Sequence, residues 1–285
     1  MSTKHPTVLS SQSSVLSPDS AVLAKQRARE QWSANPCGAS VAREYEFGSR
    51  EYFDAIERYR YEDAPWIKQT VGFDRYAGKS LLEVGFGTGT DLLQFARGGA
   101  RVTGVDLTPR SIEIARRRFE VYGAQGEFVI GDAEHLNFPD TSFDVVYSFG
   151  VVHHTSNTAD AVREIHRVLK PGGKAIVMIY HRRSLYYWGS ILFKHGILGG
   201  ELLTSSAAEI MSLHVEYSET GERPLVKAYT RAEARRMFSD FQHCDIQVNQ
   251  LTRRDLRPVG ALLPERTLQW LARNFGWNLL ITATK

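Results

Sequence analysis

From Ser80 to Tyr180 the chain alternates short apolar runs with segments whose apolar residues recur at helical spacing. Such runs, rich in Val, Ile and Phe, read as strands buried on both faces, and the helical segments between them as their cover. Strands are predicted over 80–85, 101–106, 127–130, 143–148 and 174–180. Thr108-Pro109 caps a helix in which Ile112, Ala115 and Phe119 share a face. A later helix from about Ala159 carries Val162, Ile165 and Leu169 inward, and Lys170-Pro171-Gly172-Gly173 is expected to end it. Strand and helix in strict alternation predict an α/β architecture with a parallel sheet covered on both faces.

The flanks are less regular. Residues 1–16 are rich in Ser, Thr and Gln and read as a disordered tail. Ser17-Pro18 reads as a helix start running to about Trp32, broken by Asn35-Pro36-Cys37-Gly38, with a second, aromatic-rich helix from about Ser49 to Tyr61. Beyond Tyr180 the alternation lapses for about fifty residues, including the very apolar stretch Ser184 to Phe193, too short to span a bilayer. Thr230-Arg231-Ala232-Glu233 is a capping box opening a helix with Ala234, Met237, Phe238 and Phe241 on one face. Residues 245–249 and 277–284 read as closing strands. The chain divides into the tail, a helical N-terminal segment 17–70, and a core 71–285 with an insertion at about 182–229.

Composition changes this picture little: 42% hydrophobic and 24% charged residues describe an ordinary globular chain. The net charge of +3, from 35 basic and 32 acidic residues, does not point to a nucleic-acid partner. Two cysteines, Cys37 and Cys244, make no disulfide framework and no metal-binding spacing. With no transmembrane run and no signal-peptide core, a cytoplasmic protein is expected.

Chemistry concentrates where the first strand runs into Glu83-Val84-Gly85-Phe86-Gly87-Thr88-Gly89. Glycines here admit positive φ and let a ligand approach the backbone beside a helix N-terminus. Asp106 ends the second strand 19 residues after Gly87, where a carboxylate accepts from ribose hydroxyls. This pair leaves NAD and S-adenosylmethionine both open. Against a dinucleotide, the sixth position of the loop is Thr90 rather than glycine. Glu83 suits a cofactor with a cationic amino-acid end, and Asp132, after the third strand, can accept from an adenine amino group.

Glu83 to Gly89, Asp106, Gly131-Asp132-Ala133, Phe143-Asp144 and Leu169 to Gly173 together resemble the Rossmann-like, class I S-adenosylmethionine-dependent methyltransferases, nearest the ubiquinone/menaquinone-biosynthesis and natural-product branch. The resemblance covers about residues 78–180 well and the C-terminal strands loosely. It implies a seven-stranded, mostly parallel sheet with helices on both faces and the last strand antiparallel beside strand five. It implies S-adenosylmethionine as cofactor, with Gly85, Phe86, Gly87 and Gly89 around its methionine part and Glu83 fixing the loop. Asp106 would hold the ribose, Leu107 would lie beside the adenine, Asp132 and Ala133 would bind its edge, and Phe149 would approach the methionine end. The N-terminal and inserted segments would form a lid that sets acceptor specificity.

The expected reaction is in-line methyl transfer to an oxygen or carbon of a small, largely apolar acceptor, such as a natural product, lipid or quinone-like compound. Orientation and exclusion of water would supply most of the catalysis. If a proton must be removed, His153, His154 and His181 are the candidate bases, since all lie at the carboxyl edge of the sheet. Tyr45, Tyr52, Tyr186, Tyr187 and Trp188 are the candidate pocket residues. No metal is expected, and a homo-oligomer could form through the lid segments. A nucleic-acid methyltransferase, an NAD-dependent oxidoreductase and a non-catalytic cofactor-binding assembly protein are the competing readings.

Overall fold

The computed structural model describes residues 17–216, 221 and 223–285; the expected disordered tail lies outside them. Its centre is a sheet of β1 (Ser80–Val84), β2 (Arg101–Asp106), β3 (Glu127–Ile130), β4 (Phe143–Phe149), β5 (Leu169–His181), β7 (His243–Asn249) and β8 (Asn278–Thr284). The strand order is β3-β2-β1-β4-β5-β8-β7, and a short β6 (Ala228–Tyr229) pairs with the end of β5. Strands β1 to β5 run parallel, whereas β8 is antiparallel to both β5 and β7. This is the expected Rossmann-like sheet with one small strand added by the insertion.

Between the strands lie α4 (Thr90–Arg97), α5 (Pro109–Val121), α6 (Thr158–Val168) and α8 (Arg231–Met237). Thr108 caps α5 by accepting from the Ser111 N–H, and Thr230 with Glu233 closes the capping box on α8. The buried faces form two clusters, one on each side of the sheet. Val146, Ile165, Val177 and Phe238 belong to one, and Leu81, Phe95, Phe119 and Tyr147 to the other. Phe238 and Phe241 are buried as expected, but only as far as Met237 is the segment helical.

Two expectations change. Lys170 to Gly173 do not precede strand five but belong to β5, which bulges there: Phe143 pairs with Leu169 and Val145 with Lys174. Ordinary alternation breaks at such a bulge, so the pattern conceals the strand start. An amphipathic helix α9 (Glu265–Phe275), unforeseen from the sequence, precedes β8.

The flanking segments pack onto this core. The N-terminal one comprises α1 (Pro18–Ala34), α2 (Arg50–Asp63) and α3 (Trp66–Val71). Ser17 and Ser49 cap α1 and α2. The insertion holds a π-helical segment, Tyr187–Leu198, and α7 (Ala207–His214), and has its own small core of Tyr187, Ile191, Ile210, Met211 and Val226. No helix among the described residues is long and apolar enough to cross a membrane.

Candidate active site

The strand order reverses between β1 and β4, and the crevice this opens at the carboxyl ends of the strands is where open α/β sheets bind ligands. A cavity of about 480 Å3 lies there, within the usual range of small-molecule sites. Gly85, Gly87, Asp106, Leu107, Asp132, Ala133 and Phe149 all line it.

The Asp106 carboxylate braces the loop: it accepts from the Gly87 N–H at 3.0 Å and from the Thr108 N–H and hydroxyl, each at 3.0 Å. Burial pushes this carboxyl above its ordinary range, against the pull of those donors. Asp132 accepts from the Glu134 N–H at 2.9 Å and from Lys25 at 2.6 Å. Lys25, on α1, also pairs with Glu134 at 2.8 Å. Burial alone would lower the Lys25 ammonium, but the two carboxylates raise it above its usual value.

Three expected cofactor residues stand behind the wall rather than in it. Phe86 is buried against Phe128. Gly89 is the N-cap of α4, with positive φ. Glu83 is buried with one carboxyl oxygen lacking a partner among the described residues. Burial, reinforced by Asp91, pushes the Glu83 carboxyl far up, which works against the negative charge the sequence suggested.

Asp91 anchors a buried polar knot that sequence reasoning missed. Arg60 of α2 grips it with two hydrogen bonds, at 3.2 and 2.5 Å, while the Tyr61 and Tyr147 hydroxyls donate to it at 2.9 and 2.7 Å. Burial would raise Asp91, but Arg60 and the phenols outweigh it and hold the carboxyl below its ordinary range. The Arg60 guanidinium also lies 4.1 Å over the Phe149 ring and lines the cavity. Only helical spacing on α2 could have singled Arg60 out, and its neighbours there carry similar charge.

The three histidines separate. His154 reaches the cavity. Its Nδ1 lies 2.8 Å from the Leu225 carbonyl, and a carbonyl only accepts, so Nδ1 carries a proton and in the neutral ring Nε2 is bare. Glu216 approaches Nε2 at 3.5 Å. His153, by contrast, is fully buried against Tyr180, its ring 4.0 Å away, and neither nitrogen has a partner among the described residues. Burial, with His154 and Lys227 adding to it, pushes His153 far below the usual imidazole range. His181 is buried too, bonded through Nδ1 to the Gly276 carbonyl at 3.0 Å. Neither lines the cavity, which removes both as bases facing an acceptor.

None of the five expected pocket aromatics lines the cavity. Tyr45 and Tyr52 pack with Phe53 and Ile56 beside α2. Tyr187 sits in the small core of the insertion, Tyr186 leans on Trp277 at 4.8 Å, and Trp188 is exposed. The aromatic wall comes instead from Trp32, Tyr59, Tyr180 and Trp277. Away from the cavity, His195, Glu201 and His214 bring possible ligand atoms within 4.8 Å of one another, a cluster that spacing along the chain did not reveal. The two imidazoles stack at 3.7 Å and 18°, and His214 bonds Glu201 at 2.9 Å. Nearly parallel rings do not aim their lone pairs at one point, so this arrangement is a hydrogen-bonded stack rather than a formed coordination site.

The family model of a methyltransferase domain matches residues 82–177. That match identifies a methyltransferase domain within the chain. Over 102 residues it is 40% identical to a demethylmenaquinone methyltransferase of Tropheryma whipplei, covering 35% of this chain and 41% of that protein. Over 98 residues it is 36% identical to a malonyl-[acyl-carrier protein] O-methyltransferase of Serratia marcescens, covering 34% and 37%. The methyltransferase-domain similarity thus spans less than half the length of these relatives. In fold, it is similar to a SAM-dependent methyltransferase structure from Methanosarcina mazei, with a TM-score of 0.52, 21% identity, and coverage of 75% of this chain and 96% of that one. The matched region of this methyltransferase domain ends before the insertion and begins after the N-terminal helices, the two parts that supply the outer wall of the cavity.

Proposed function

We propose that the protein transfers a methyl group from S-adenosylmethionine to a small, largely apolar organic acceptor, at oxygen or carbon. The observation that carries this reading is the convergence, in one cavity, of Gly87, Asp106 and Asp132 on one side and Trp32, Tyr59 and Trp277 on the other. A Cβ at Gly87 would meet nothing within 4 Å, which leaves open space for a ligand against that backbone. Asp106, which lines the cavity beside Gly87, would take the ribose hydroxyls. Asp132 and Ala133 would take the adenine edge.

The donor supplies an electrophilic methyl on a cationic sulfur. The chain's own residues orient the partners and keep water out, a contribution worth roughly 7–11 kcal/mol when the reacting atoms are held in line. His154 is the one expected base whose bare nitrogen faces the acceptor space. The relatives' names span a demethylmenaquinone and a malonyl group on a carrier protein, so the shared domain leaves the acceptor to the segments around it.

Titration calorimetry with S-adenosylhomocysteine tests the reading. Binding is expected for the unmodified protein and is expected to fall at least a hundredfold in Asp106→Ala, whose loop loses its brace as well as the ribose contact. Absence of binding to the unmodified protein, or equal binding by the variant, would sink it.

A further inference from the structure

At the cavity, three polar side chains from three parts of the chain meet. His154 follows β4, Tyr180 is on β5, and Glu216 lies just after α7 in the insertion. All three line the cavity. Tyr180 donates its hydroxyl hydrogen bond to Glu216 Oε1 at 2.8 Å. The same oxygen stands 3.5 Å from His154 Nε2, too far for a direct bond but spaced for a group that touches both. The Leu225 carbonyl, from the far end of the insertion, fixes the His154 tautomer that leaves Nε2 bare. Trp32 closes over the imidazole edge-on at 5.5 Å.

Taking methyl transfer as its basis, we propose that His154 and Glu216 are a base pair for an acceptor carrying a weakly acidic hydroxyl on a flat, apolar frame: a phenol or an enol. Tyr180 is the positioning residue for Glu216. The hydroxyl proton passes to His154 Nε2, and Glu216 stabilises the imidazolium that forms. The oxygen pair forms a bond to the methyl carbon as the carbon–sulfur bond breaks, its electrons passing to sulfur, so the sulfonium becomes a neutral thioether. The proton leaves His154 to water after product departs.

The chemistry selects this class. An ordinary phenol lies about 3.5 units above an ordinary imidazole, a gap that charge developing in the transition state can bridge, whereas an aliphatic alcohol lies far beyond it. An amine would reach the site as an ammonium, and Glu216 would hold it in that unreactive form. The walls agree with a planar frame, since Trp32, Tyr59 and Trp277 supply most of the aromatic surface.

Two phenol probes test the pair: a nitrophenol already ionised at pH 8, and an alkyl phenol with a tyrosine-like pKa of about 10. The unmodified protein is expected to methylate both at oxygen. In Glu216→Gln the alkyl phenol should lose at least tenfold in kcat while the nitrophenol changes by less than threefold. Tyr180→Phe should show the same split in weaker form. S-adenosylhomocysteine binding, measured by calorimetry, should be unchanged in both variants, which also reports that they fold. A readout without turnover is the absorbance of nitrophenol bound beside S-adenosylhomocysteine below its own pKa: more phenolate is expected in the unmodified protein than in Glu216→Gln. Equal losses for both phenols, methylation of a ring carbon, or cofactor binding with no transfer to either phenol would overturn the proposal. Failure to bind S-adenosylhomocysteine would instead overturn the methyl-transfer reading beneath it.

Discussion

At Gly85 and Gly87 two glycines of one loop have different reasons to be glycine. Both hold positive φ, but a Cβ at Gly85 would collide with the methyls of Val151, whereas one at Gly87 would point into open space in the cavity. Gly87→Ala therefore costs only the strained backbone, about 1–2 kcal/mol, and the protein should fold with a modestly lower Tm. Its S-adenosylhomocysteine affinity should nonetheless fall at least tenfold, because the new methyl occupies ligand space; calorimetry beside thermal unfolding separates the two effects, and full affinity would refute the assignment. Glu83 makes a different prediction. Its carboxyl is pushed far up by burial and Asp91, so the folded state holds a proton that the unfolded state releases above about pH 4.3. Its contribution is most favourable below that value and declines as pH rises toward the folded value. Glu83→Gln abolishes this decline, so the variant's stability relative to the unmodified protein should be greater at pH 8 than at pH 5, by denaturant unfolding. An identical difference at both pH values would show that Glu83 is not the titrating group.

At the scale of elements, the legible parts are those whose cause is local. Strand alternation, the Thr108 and Thr230 caps and the glycine loop each lie within a few residues, and β1 to β4 fall where the apolar runs place them. Gly85, Gly87, Asp106 and Asp132, which line the cavity, were legible for the same reason. Trp32, Glu216 and Trp277, which line the same cavity, were not, because only tertiary packing brings them there. The apolar run at Ser184 to Phe193 misled because Tyr187, Ile191 and Leu192 serve the insertion's own core. Lys25 was equally invisible, one of many charges on a weakly amphipathic helix, yet it ties α1 to the cavity wall through Asp132 and Glu134. Burial would raise Glu134, but Lys25, Asn157 and Ser156 hold it below its ordinary range. A depressed carboxyl lends stability above its unfolded pKa of about 4.3 and loses it as pH falls through the folded value. Lys25→Ala should therefore loosen α1 at neutral pH about fivefold, the effect of roughly 1 kcal/mol expected of a partly exposed pair. Amide hydrogen exchange checks it: α1 should exchange faster while β1 to β5 do not, and in the unmodified protein the same release should appear only on acidification.

For the whole molecule, the cavity is a joint between three parts of the chain. The sheet edge supplies Asp106, Asp132 and His154, the N-terminal helices supply Lys25, Trp32 and Arg60, and the insertion supplies Glu216. The outer parts are held at the cavity by a few polar contacts: Lys25 to Asp132, Arg60 to Asp91, Tyr180 to Glu216, and Leu225 to His154. A ligand that fills the joint spans these parts, so its binding free energy, counted once, favours the state in which all of them are closed together. At a hundred times its dissociation constant, S-adenosylhomocysteine should stabilise the protein by about 2.7 kcal/mol. The gain should not be spread evenly. Hydrogen exchange should slow together in α1, in α2 around Arg60 and in the 223–227 strip. The outer face of the insertion, where Leu198 and Leu203 are 71% and 90% exposed, should not change. Protection confined to the glycine loop would mean that the N-terminal helices and the insertion do not respond to the cofactor, and that acceptor binding alone must close the site.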